Sequence, residues 1–226
     1  WKTCVLNCPY KQDKQSFLDS NVSVTNFPYF LAESTYAGKI QPRNVLVVDE
    51  AHNVANELGK FIEITMTEKF SKDFLNISMP SLKTHVQAIN WVKETYHPKL
   101  RSKFKNMEKM LAKYNLDSRL DEFTKLARQF ELVDKHLCKI NRFLQVHETK
   151  NWVYNEVAAQ GRKSRRLEFK PIDVAPFAHD MLFKFGKKII MMSATILNRE
   201  AFCETLGIKK EETEFIQIDS PFKKKN

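Results

Sequence analysis

Glycine is scarce in this chain, with five in 226 residues, and no Gly-x-x-x-x-Gly-Lys-Ser/Thr run occurs to cradle phosphates. Cysteine is scarcer: four residues, at 4, 8, 138 and 203, are too few and too scattered for a secreted disulfide scaffold. No apolar stretch reaches the eighteen or so residues that span a bilayer, and the start, Trp1-Lys2-Thr3-Cys4, is neither an initiator Met nor a secretory signal. These absences lead to the expectation of a soluble, intracellular protein and of a piece of a longer polypeptide. Acidic charge is also short. Lys and Arg number 37 against 27 Asp and Glu, a formal net charge of +10, which favours polyanionic partners, nucleic acid first among them. The six histidines show no metal-ligand spacing.

Four segments read as strands. Asn44 to Val48 is a run of four aliphatics that ends in two carboxylates, the pattern of a central parallel strand buried on both faces. Lys188 to Met192 is of the same type and runs into Ser193-Ala194-Thr195, and the two strands are expected to be neighbours. Glu214 to Ile218 alternates apolar and polar and is a third. Val22 and Val24 mark a short strand that leads into an aromatic helix, and Arg199 to Leu206 reads as a helix stopped by Gly207.

Between the two aliphatic strands the period changes. From Leu120, apolar residues at Phe123, Leu126, Phe130, Val133, Leu137, Ile140 and Phe143 fall three or four apart, one face of a helix of about 25 residues and about 40 Å. Phe104, Met107, Met110, Leu111 and Tyr114 supply an antiparallel partner, with Asn115 to Ser118 as the turn. The expected fold class is therefore α/β, with a mainly helical insertion over about Met66 to Gln145.

The chemistry concentrates at the ends of the two aliphatic strands. Val45-Leu-Val-Val-Asp49-Glu50-Ala51-His52 places two adjacent carboxylates where open α/β sheets bind ligands. In a nucleotide-hydrolysing site the first such carboxylate holds Mg²⁺, and the second positions or deprotonates the attacking water. The competing reading is an acidic loop beside the amino end of the next helix. Ser193 and Thr195 offer small hydroxyls that can contact the first loop and report nucleotide state. Arg162, Lys163, Arg165 and Arg166 form a basic run suited to phosphates. Trp152 and Tyr154 ahead of it either stack bases or tuck under the insertion.

Asp-Glu-Ala-His followed by Ser-Ala-Thr is the arrangement of motifs II and III in superfamily 2 helicases. His52 and Ser193 stand about 140 residues apart, room for an entire inserted domain. With Cys8-Pro9-Tyr10 ahead of the motif, the chain resembles the family of the xeroderma pigmentosum group D helicase and bacterial DinG. In that family an iron-sulfur segment precedes motif II, and a helical Arch domain separates it from motif III. Thr25-Asn26-Phe27, Pro171-Ile-Asp-Val-Ala175, Met181-Leu182-Phe183 and Ser220-Pro221-Phe222 resemble other family stretches.

The resemblance implies a partial RecA-like parallel-sheet motor domain with an Arch-like insertion. The implied segments are 1–20, the end of an iron-sulfur segment; 21–65, motor with the DEAH motif; 66–150, helical insertion; and 151–226, motor with Ser-Ala-Thr. It implies that Asp49 coordinates Mg²⁺, Glu50 is the general base, and His52, Ser193 and Thr195 couple hydrolysis to strand movement. It further implies that Cys8 and Cys4 ligate a [4Fe-4S] cluster, two of whose four thiolates lie outside the chain. Cys138 and Cys203 read as buried small hydrophobes. The implied activity is ATP-dependent 5′ to 3′ unwinding of single-stranded or forked DNA, in DNA repair, with protein partners at the insertion. The alternative is a catalytically inactive nucleic-acid-binding module. An RNA helicase of the DEAH box fits the insertion length poorly. Lacking a phosphate loop and a second motor domain, these residues alone are expected to hydrolyse no ATP.

Overall fold

The computed structural model describes residues 8–113, 120–147, 152–196 and 198–219. Cys4, Tyr114, the Asn115 to Ser118 turn and Ser220-Pro221-Phe222 lie outside them. The chain divides into two compact units, residues 1–58 with 173–226, and residues 59–172.

The first unit is built on a parallel pair, β1 (Arg43–Val48) and β5 (Gly186–Met191), in register from Arg43↔Gly186 to Val48↔Met191. Ahead of it come α1 (Pro9–Asp19) and α2 (Phe27–Ala32). Asn26 caps α2 by accepting the Tyr29 N–H at 2.8 Å. Arg43, at the start of β1, donates to the carbonyls of Leu18 and Ser20 at 2.7 and 2.9 Å, so one guanidinium satisfies acceptors at the end of α1. α3 (Val54–Ile62) follows the carboxylate loop and leads into the second unit.

On the return, α8 (Ala175–Met181) precedes β5, and α9 (Arg199–Leu206) follows the Ser-Ala-Thr loop. Gly207 ends α9 at φ +67°, close against Ala175, where an added Cβ would stand 3.0 Å from the Ala175 Cβ. Phe30 and Phe185 meet edge to face at 5.4 Å in the core of this unit.

The α/β class, the parallel neighbours and α9 are as expected. Three details differ. Val45 and Val47 are 49% and 53% exposed, because among the described residues the sheet has only β1 and β5 and one face of it is uncovered. Residues 21–26 form no strand, and Val22 and Val24 face solvent. Residues 214–218 likewise pair with no strand among the described residues, and Ile216 and Ile218 are exposed. Alternation gives a strand one apolar face; without a partner for its backbone groups it stays irregular.

The second unit carries the helices. α4 (Glu68–Asp73) and α5 (His85–Trp91) are capped by Thr67 and Thr84. A wider turn over 92–96 joins α5 to α6 (His97–Ala112), which packs antiparallel on α7 (Leu120–Val146). Phe104 stacks on Phe130 at 4.8 Å, and His97 meets Asn141 at 2.8 Å, so rising numbers on one helix meet falling numbers on the other. Val133, Leu137, Ile140 and Phe143 form the buried stripe of α7. Cys138 lies off that stripe and is exposed, contrary to expectation, whereas Cys203 is buried.

The unit also holds a sheet that the sequence reading did not foresee. β2 (Ile64–Thr67), β4 (Arg166–Pro171) and β3 (Trp152–Val157) pair antiparallel in the order β2-β4-β3. The compact unit is accordingly wider than the 66–150 span. Phe143 of α7 packs on this sheet, 4.6 Å from Phe169 and 4.9 Å from Trp152. No helix among the described residues is long and apolar enough to cross a membrane.

Candidate functional site

The chain leaves β1 at Val48, and the parallel ladder continues past the strand ends. The Met192 N–H donates to the Val48 carbonyl and the Ala51 N–H to the Met192 carbonyl, both at 2.9 Å. These bonds bring the Asp49–His52 loop beside Ser193–Thr195. The first loop turns sharply. Glu50 takes a left-handed conformation, φ 50° and ψ 41°, and its N–H donates to Asp49 Oδ1 at 2.8 Å. Asn53 N–H closes the turn on the Glu50 carbonyl at 2.9 Å. Both carboxylates are exposed.

Polar contacts link the two loops. His52 Nδ1 lies 2.8 Å from Ser193 Oγ and 3.2 Å from Glu50 Oε2. Ser193 Oγ accepts the Thr195 N–H at 3.1 Å and stands 3.2 Å from Thr195 Oγ1. A continuous chain therefore runs Glu50, His52, Ser193, Thr195. A change in the hydrogen bonding of Glu50 at one end alters what His52 offers Ser193 at the other. All four residues, with Asp49, gather at the carboxyl ends of neighbouring strands.

Hard carboxylate oxygens suit Mg²⁺, which takes one or two protein carboxylates and completes its shell with waters and phosphates. The donor set at Asp49 and Glu50 fits that ion. Cys8 is half-buried just ahead of α1, Cys4 lies outside the described residues, and among the described residues no group of three or more His, Cys, Asp or Glu could hold a metal.

The basic run divides. Arg165 is committed internally: Nε donates to Glu156 at 2.7 Å, and Nη1 to Glu68 at 3.3 Å and to the Met79 carbonyl at 2.8 Å, with a further bond to the Pro80 carbonyl. Arg166 pairs with Glu168 at 2.5 Å. Burial raises the Glu168 carboxyl, but hydrogen bonds and charge from Arg166 and Lys170 outweigh it and hold the group below the usual range. Arg162 and Lys163 stay exposed in the turn between β3 and β4. Trp152 is buried, and the Tyr154 hydroxyl donates to the Leu82 carbonyl at 3.1 Å, so both rings are tucked into the unit.

Residues 3–70 match the DEAD_2 family model. Solved structures also match, among them one titled XPD_Helicase, at 19% identity over 92% of this chain with a TM-score of 0.45. The chain spans 38% of the length of that structure. No curated protein matches. The DEAD_2 stretch contains β1, Asp49, Glu50 and His52.

Proposed function

We propose that the paired loops are the magnesium-nucleotide and coupling end of an ATP-dependent DNA helicase that moves 5′ to 3′ on single strands. Asp49 would hold Mg²⁺ by its carboxylate. Mg²⁺, when bound with ATP, neutralises charge on the phosphates. Glu50 accepts a proton from the water that attacks the γ-phosphate, and the leaving group is ADP. His52 senses the altered Glu50 and passes the change through Ser193 to Thr195. The observation that carries this reading is the 2.8 Å contact between His52 and Ser193, residues 141 apart in sequence. No step uses an iron-sulfur cluster. Arg162 and Lys163 are proposed to touch the DNA backbone, and a DNA substrate implies an intracellular setting.

The test uses the intact polypeptide that carries these residues. Glu50→Gln is expected to bind ATP but lose DNA-stimulated turnover by at least about a hundredfold, the scale of a general base. Ser193→Ala is expected to keep most turnover and lose unwinding. The second reading is an inactive nucleic-acid-binding module, which the formal net charge of +10 would also suit. Strand binding with no ATP turnover in the unsubstituted intact polypeptide selects it.

A further inference from the structure

Arg101, Lys105, Lys109 and Lys113 recur every four residues along α6 and its terminal residue. Residues so spaced lie on one flank of a helix, here away from the face that buries Leu100 and Met107. All four are exposed. At the helical rise the row is about 18 Å long. Some other cations of the same unit find internal partners. Lys103 sits 4.7 Å over the Phe74 ring, Lys135 pairs with Glu131 at 2.6 Å, and Arg165 holds Glu156. Among the described residues the four side chains of the row have no such contact, and Glu108 is the only acid in α6.

Like charges one turn apart weaken a helix. Among the described residues no acid is paired with this row, whereas a polyanion laid along it would offset the repulsion and release counterions. Lysine is depleted in protein–protein interfaces, which want an apolar core, and the large apolar side chain exposed on α6 is Met110 alone. A linear array of phosphates suits the row better than a protein surface does.

We propose that Arg101, Lys105, Lys109 and Lys113 form a sequence-independent contact for the phosphodiester backbone of single-stranded nucleic acid, separate from Arg162 and Lys163. It rests on the helicase reading for the choice of ligand only.

The test is fluorescence anisotropy of a labelled oligothymidine with the full chain over a salt series. Each phosphate contact on a single strand contributes about 0.7 to the slope of log affinity against log salt, so changing all four residues to Gln is expected to lower the slope by about three. Glutamine keeps the helix, which circular dichroism checks. A charge-matched control, Lys11, Lys69, Lys72 and Lys188 to Gln, is expected to keep most of the slope, and Lys105→Arg with Lys109→Arg to keep all of it. An unchanged slope in the four-residue variant overturns the inference, as does an equal loss in the control. Row-dependent binding of polyglutamate with no binding of oligothymidine also overturns it and points to an acidic protein. A chain that grips the strand through the row while the intact polypeptide never turns over ATP keeps this inference and loses the motor reading.

Discussion

His136 gives the second unit a dependence on pH that can be worked through in numbers. Its Nε2 lies 2.8 Å from the buried Tyr96 hydroxyl, and its ring is edge-on to both Tyr96 and Phe70. One side lines a recess of about 430 Å³ shared with Lys60, Lys135 and Lys139. Burial, and secondly the charge of Lys139, push the imidazole down from its usual 6.5 to about 4. The ring is therefore neutral in the fold at neutral pH. The unfolded chain takes up a proton near 6.5 and the folded chain does not, so stability is whole above about pH 6.5 and falls as pH drops toward 4. Between about pH 7.5 and about pH 5 the linkage amounts to about 2 kcal/mol. The carboxylates held low, Glu156 and Glu168, titrate below that window. His85, also pushed down by burial and by His147, adds a smaller loss of the same sign. His136→Gln offers Tyr96 an acceptor that does not titrate. Urea unfolding followed by Trp91 and Trp152, both inside this unit, is expected to show the pH-dependent loss shrinking by about 2 kcal/mol in the variant. An equal loss in the variant and the unsubstituted protein would refute the assignment of a neutral buried His136.

Two further substitutions test the frame around the sites. Gly186→Ala places a Cβ 2.7 Å from the Leu46 Cβ, so the β1–β5 register must shift, at a cost of about 1–3 kcal/mol in thermal unfolding; a neutral effect would show the approach to be slack. Arg165→Ala strands Glu156 and the Met79 carbonyl and is expected to cost about 2–3 kcal/mol. Arg165→Lys should recover only part of that, because an ammonium cannot reach several acceptors in one plane, and full recovery would count against the fork.

The parallel pair was legible because a run of aliphatics ending in polar loops has few other homes. Asp49, Glu50, His52, Ser193 and Thr195 could be named from those two runs, and the structure links the last four by polar contacts beside Asp49. Burial was less legible. Val45 and Val47 have the chemistry of covered residues, but cover is supplied by neighbours that a strand's own sequence does not specify. The β2-β4-β3 sheet escaped notice because its strands are four to six residues long and because Glu168, buried between Leu167 and Phe169, breaks their alternation. Arg165 and Arg166 read as a phosphate grip since charge is visible in sequence while the acids that take it up, Glu68, Glu156 and Glu168, are partly distant. The row on α6 was visible as spacing, but only the fold separates it from Lys103, which the Phe74 ring occupies.

The antiparallel partnership of Ile64 with Phe169 bears on the order in which the molecule assembles. Closing β1 on β5 directly from a disordered chain means tying off a loop of about 140 residues, and loop entropy grows with the logarithm of that length. Once the inserted unit has folded, its sheet already holds position 64 beside 169, and only about 30 loose residues remain to be closed, an entropic saving of about 1.4 kcal/mol. The insertion is thus a splint for the pair it interrupts. It favours a sequence of events in which the helical unit forms first and the two loops that carry Asp49 and Ser193 meet last.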